Sequence, residues 1–95
     1  MARSDIFQAT VEHFLAPVQE FLRDPAVAEI MINAPDEIYV ERSGQLVRTD
    51  AAFASEDALR AAVNNVLQYT GKRLTDERPL LDLRLPDGSR VHVIL

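Results

Sequence analysis

The sequence contains no cysteine, no excess of positive charge and no apolar run long enough to cross a membrane. The absence of cysteine excludes disulfides and cysteine-ligated metal sites, and it is typical of a protein that works in a reducing compartment. The net charge of -5 argues against a general nucleic-acid or membrane-surface binder, because both need a positive electrostatic field. The N-terminus lacks the basic segment and apolar stretch of a signal peptide. These absences together predict a cytoplasmic protein.

Side chains suited to catalysis or metal binding are scarce. His13 and His92 are the only histidines, and neither has a partner at metal-ligand spacing. No Ser-His-Asp or Cys-His set can be assembled, and the carboxylates are scattered. Gly71-Lys72 looks like part of a phosphate loop, but the earlier glycine of that motif falls on Val66 and its serine or threonine falls on Arg73. We therefore expect no metal, no cofactor and no catalysis from these 95 residues alone.

The remaining pattern predicts one domain with a modest core. Apolar residues at helical spacing indicate a first helix, which Ser4 would cap and Pro17 would interrupt or restart. A second helix follows the cap Ser55 and ends at Gly71. Three short strands between the helices, at residues 28–34, 38–41 and 45–49, predict an antiparallel meander.

Residues 81–95 (LDLRLPDGSRVHVIL) predict a closing β-hairpin. Its three-residue loop, Pro86-Asp87-Gly88, combines a type I turn with a left-handed glycine. The loop fixes a register with Arg84 opposite Arg90 and Leu83 opposite Val91. Because side chains alternate between the two faces of a strand, one face is apolar. The other face carries Asp82, Arg84, Arg90 and His92.

The predicted fold is therefore α+β, with helices packed on one face of a mainly antiparallel sheet that ends in a β-hairpin. The sequence stops at Leu95 within an apolar strand, so we expect it to be part of a longer protein. The side chains that we expect to be buried between helices and sheet are Phe14, Ile30, Ile32, Val63, Val66 and Leu83.

Two segments resemble a known family. Residues 28–41 (AEIMINAPDEIYVE), followed by Gly44, and residues 83–91 (LRLPDGSRV) are similar to the N-terminal domain of type II/IV secretion-system ATPases, and closest to the tight-adherence (Flp) pilus assembly ATPase group. The resemblance extends over residues 14–95. The family usually has glycine at the position of Ala34, and it often has asparagine at that of His92. These departures leave Arg84 and Arg90 in place.

The resemblance implies that residues 1–95 form the N-terminal domain of a bacterial two-domain ATPase whose C-terminal RecA-like ATPase domain is absent from this chain. Such an ATPase would bind ATP and Mg between its domains, form a homohexamer and power pilus assembly or protein secretion. The positions that match the family's phosphate-binding arginines are Arg84 and Arg90. The implied partners are the chain's own C-terminal domain, neighbouring subunits and inner-membrane platform proteins, with the protein cytoplasmic and peripheral to the inner membrane.

Two other readings of the sequence stay open. The chain could be a free-standing protein-interaction module of similar fold with no ATPase attached. It could also be a small nucleic-acid binder that uses Arg84, Arg90, Lys72 and Arg73. The acidic balance and the lack of aromatic residues near those cations argue against nucleic acid. From spacing alone, the polar face of the hairpin could also be an ordinary solvated surface.

Overall fold

A computed structural model of the protein describes residues 3–95, with side chains from Ile6 onward. Within this range, a helical segment, three strands, a helix and two strands follow one another, in the order that the sequence predicts. The helices are α1 (Arg3–Phe14), α2 (Gln19–Leu22) and α3 (Glu56–Tyr69). The strands are β1 (Val27–Ala34), β2 (Glu37–Arg42), β3 (Gln45–Arg48), β4 (Leu81–Arg84) and β5 (Arg90–Val93).

The five strands form one sheet in the order β3-β2-β1-β5-β4. The meander β1-β2-β3 and the hairpin β4-β5 are antiparallel, which confirms both predicted motifs. The two motifs join through a parallel pairing of β1 with β5, in which Glu29 neighbours Arg90 and Met31 neighbours His92. The sequence did not predict this junction. The α+β class with a mainly antiparallel sheet is confirmed.

Proline and glycine divide the helical segments at the predicted places. A single 3-10 turn, Ala16–Val18, separates α1 from α2, and it carries Pro17 at its start. Proline fits there because the first turn of a helix leaves its N–H groups unpaired in any case. The side chain of Ser4, the predicted cap of the first helix, lies outside the described residues.

Helix α3 has both of its predicted caps. The Ser55 Oγ accepts a hydrogen bond from the Ala58 N–H at 3.0 Å. At the other end, Gly71 takes a positive φ of 83°, and the Lys72 N–H donates to the Leu67 carbonyl at 2.7 Å. This six-residue closure is the Schellman motif of helix ends. Gly71-Lys72 therefore terminates a helix, as the sequence predicts.

The core lies between the helices and one face of the sheet. The predicted core residues Val63 and Val66 on α3 are buried, and so are Ile30 and Ile32 on the central strand. The predictions for Phe14 and Leu83 were wrong, because both side chains are only partly buried against the edge of the core. Leu83 belongs to an edge strand, which has a neighbour on one side alone. Helices and sheet bury the side chains of Val11, Leu15, Val18, Leu22, Leu59, Ala62, Val63, Val66, Leu67, Ile30, Ile32, Ile38, Val40, Leu81, Val91 and Val93.

None of the helices within residues 3–95 is long and apolar enough to span a lipid bilayer.

Candidate functional site: the open face of the sheet

The hairpin turn has the predicted geometry. The Gly88 N–H donates to the Leu85 carbonyl at 2.9 Å, and Gly88 has a φ of 93°. The Leu85 N–H donates to the Ser89 carbonyl at 2.8 Å, which closes the loop. The Asp87 carboxylate accepts from the backbone N–H and the hydroxyl of Ser89. This turn fixes which side chains of β4 and β5 meet.

The observed register is the predicted one. Asp82 pairs with His92, and Arg84 pairs with Arg90. Cross-strand partners point to the same side of a sheet, so the pairings of all five strands define one polar surface opposite the core. We call it the open face. It consists of Glu29, Met31, Tyr39, Glu41, Leu46, Arg48, Asp82, Arg84, Arg90 and His92.

Arg84 and Arg90 lie directly opposite each other on the open face, and both are exposed. Arg84 forms no ion pair with any residue that the structure describes. Arg90 has one carboxylate nearby, with its Nη2 atom 3.9 Å from the Asp82 Oδ1 atom. That separation is too long for a hydrogen bond, and the two side chains are about half exposed. The arginine pair is therefore only weakly neutralised by its own domain.

His92 has two close partners on the open face. Its Nε2 atom lies 2.7 Å from the Glu29 Oε2 atom, and its Nδ1 atom lies 3.2 Å from the Asp82 Oδ1 atom. The pairing of His92 with Asp82 is the one that the hairpin register predicts. The Glu29 contact depends on the parallel pairing of β1 with β5, for which the sequence carries no local signal.

The arrangement of these two cations is chemically suited to binding an anion. Two guanidinium groups side by side can hold phosphate or carboxylate oxygens through paired N–H donors. Among the side chains that the structure describes, from Ile6 to Leu95, no three or more histidine or carboxylate groups are placed together to hold a metal ion.

A second surface feature lies on the helix side of the sheet, beside the edge strand β3. It is a groove of about 390 Å³ with both apolar and charged walls. Phe21 and Val47 form part of its apolar lining, and Val47 is 42% exposed. Arg42 is held in an ion pair with Asp24 at 2.8 Å, so this cation is already neutralised. The groove suits a contact with another polypeptide better than an anion.

The relatives found by comparison with known proteins are secretion-system proteins. The family model described as "Type II/IV secretion system protein" matches residues 12–95. The chain is 28% identical over 81 residues to the type IV secretion system protein VirB11 of Bartonella quintana, covering 85% of this chain and 23% of that protein. It is 28% identical over 88 residues to the type IV secretion system protein PtlH of Bordetella pertussis, covering 93% of this chain and 26% of that protein.

A solved structure has the same fold. The crystal structure of the VirB11 ATPase from the Brucella suis type IV secretion system, in complex with sulphate, matches with a TM-score of 0.69 and 23% sequence identity. The match covers 97% of this chain and 27% of that one. The chain thus spans about a quarter of the length of these relatives. Because the family model covers nearly all of its residues, the chain belongs to the type II/IV secretion system protein family, as an N-terminal domain of the family's secretion ATPases.

Proposed function

We propose that this chain is the N-terminal domain of a hexameric ATPase that powers pilus assembly or protein secretion. In this proposal, Arg84 and Arg90 contact the phosphates of an ATP molecule that a C-terminal RecA-like domain binds together with Mg. The observation that carries the proposal is the pair itself: two exposed arginines directly opposite each other on a sheet face, with one carboxylate at 3.9 Å.

Electrostatics supports a ligand at this position. Like charges directly opposite each other destabilise a sheet by roughly 0.2–1 kcal/mol. A bound anion between the guanidinium groups would reverse the sign of that interaction. Arginine also suits phosphate because its planar fork donates two parallel hydrogen bonds and its charge is fixed. Positive charge placed beside a transferring phosphoryl group stabilises the negative charge that spreads over its oxygens.

The roles proposed for the two domains are based on the chemical groups that this domain carries. It offers cations to phosphate, whereas its Gly71-Lys72 pair caps a helix and cannot cradle a nucleotide. The nucleotide and Mg would therefore be held by the other domain, and this domain would complete the site. The proposed partners are that C-terminal domain, neighbouring subunits of a homohexamer and inner-membrane platform proteins, with the assembly at the cytoplasmic side of the inner membrane.

ATP hydrolysis by the full-length ATPase tests the proposal. Arg84→Ala and Arg90→Ala should each lower the hydrolysis rate at least about tenfold, since a positive charge that contacts the transferred phosphoryl group lowers the activation barrier by several kcal/mol. Arg60→Ala is the matched control, because Arg60 lies on α3 and pairs with Glu56. Circular dichroism should show the same fold for all three variants. Parent-like hydrolysis by both open-face variants would refute the proposed role.

A protein-interaction module without an ATPase is the second candidate, and the groove beside β3 favours it. An exposed edge strand next to a partly apolar groove is suited to binding another chain. The two candidates differ in what the coding sequence contains after Leu95. The ATPase requires the motif G-x-x-x-x-G-K-[ST] farther along the chain. An interaction module requires none.

A further inference from the structure

Arg90 lies among carboxylates that could neutralise it. On β1, Glu29 is its neighbour in the parallel pairing, on the same face of the sheet. On β4, Asp82 lies on the same face two residues before Arg84, which is the direct partner of Arg90. A cation flanked by two carboxylates on neighbouring strands would normally form ion pairs with them. An external anion would then have to displace those carboxylates before it could bind.

Both carboxylates lie closer to His92 than to Arg90. The Glu29 carboxylate turns to the His92 Nε2 atom at 2.7 Å, and no ion pair forms between Glu29 and Arg90 among the described residues. The Asp82 Oδ1 atom lies nearer to the His92 Nδ1 atom, at 3.2 Å, than to the Arg90 Nη2 atom, at 3.9 Å. An imidazole with a proton on each nitrogen can donate to both carboxylates at once.

His92 is well placed to hold both carboxylates. Its side chain is 17% exposed, whereas those of Asp82 and Arg90 are 52% and 44% exposed. Its contacts with the carboxylates are therefore better shielded from water than the contact between Asp82 and Arg90. Glu41 lies opposite Glu29 on the other neighbouring strand, so charge repulsion also favours a Glu29 carboxylate turned toward His92.

We infer that His92 is a positioning residue that holds the Glu29 and Asp82 carboxylates and so keeps Arg90 available to bind an anion. The inference rests on the proposed function, because it supposes that Arg84 and Arg90 bind phosphate oxygens. His92 itself is not placed in contact with the anion.

A double-mutant cycle on the 95-residue chain tests this role, with inorganic tripolyphosphate as the probe and the NMR signals of the arginine Nε–H groups as the readout. His92→Phe keeps a planar ring but removes both nitrogen atoms. It should weaken tripolyphosphate binding about threefold, the size of one surface ion pair. In a Glu29→Gln/Asp82→Asn background the same change should have almost no effect, because no carboxylate is left to be released.

The control variants separate the two proposals. His13→Phe removes the other histidine, which is exposed near the end of α1, and it should leave binding unchanged. Arg84→Ala/Arg90→Ala should abolish the binding. If tripolyphosphate still binds to that double variant as to the parent, the arginine pair is not an anion site, and both proposals are wrong. If binding is lost there, but His92→Phe has the same effect in both backgrounds or none in the parent, only the role of His92 is overturned.

Discussion

Two leucines of the same strand provide a sharp test of how the hairpin meets the core. Leu81 and Leu83 both lie on the core face of β4, opposite Val93 and Val91. Leu81 is 3% exposed, whereas Leu83 is only partly buried. Replacing each by alanine removes the same atoms from the same strand. The difference between the two costs therefore reports the difference in burial.

The expected magnitudes follow from that burial. Truncating a fully buried leucine to alanine costs about 2–5 kcal/mol, from lost transfer energy and the cavity left behind. We expect about 3 kcal/mol for Leu81→Ala. Part of the Leu83 side chain is already in contact with water, and its cavity would be open to solvent, so we expect about 1–1.5 kcal/mol for Leu83→Ala.

Urea unfolding followed by circular dichroism measures both values. The midpoint should fall for each variant while the slope of free energy against urea stays constant, since a constant slope shows that the unfolded states are comparable. A Leu83→Ala cost equal to or above that of Leu81→Ala would contradict the partial burial of Leu83 at the margin of the core. A Leu81→Ala cost under about 1 kcal/mol would show that the hairpin register is wrong.

Four further predictions follow from the same structure. Ser55→Ala should lower the free energy of unfolding by about 1 kcal/mol in urea titration, because the Ala58 N–H loses its cap, and an unchanged midpoint would contradict the capping role of Ser55. Gly88→Ala should cost about 1–2 kcal/mol in the same assay, since an L-residue is strained at a φ of 93°; an unchanged midpoint would contradict the turn assignment. The purified 95-residue chain should not hydrolyse ATP, and turnover that survives stringent purification would contradict the proposed division between domains. Sedimentation should show a monomer or weak dimer of this chain at micromolar concentration, because the proposed ring requires both domains; a stable hexamer would contradict that.

Local signals predicted most of the fold. Ser55 and Gly71 specify the ends of α3 through their own hydrogen bonding and backbone preference, so the sequence reveals them directly. The Pro86-Asp87-Gly88 turn specifies the hairpin register in the same way, and the register then places Arg84 opposite Arg90. In each case the residues that determine the structure are close together in the chain.

Long-range features of the fold leave no local signal in the sequence. The parallel pairing of β1 with β5 joins strands separated by most of the sequence, and no turn links them. The contact of Glu29 with His92 depends on it, which is why the sequence predicted Asp82 but not Glu29 as a neighbour of His92. Burial was misjudged where an apolar residue lies at the margin of the core, as Phe14 and Leu83 do. Apolar periodicity indicates which face a residue lies on, but not how completely its neighbours cover it.

The central claim is that Arg84 and Arg90 contact the phosphates of ATP. A structure of the full-length protein with a non-hydrolysable ATP analogue and Mg tests it most directly. The account predicts that at least one of the two guanidinium groups lies roughly 2.7–3.2 Å from a phosphate oxygen, the distance of a hydrogen bond. An analogue bound in the nucleotide site while both arginines face away from its phosphates would contradict the account.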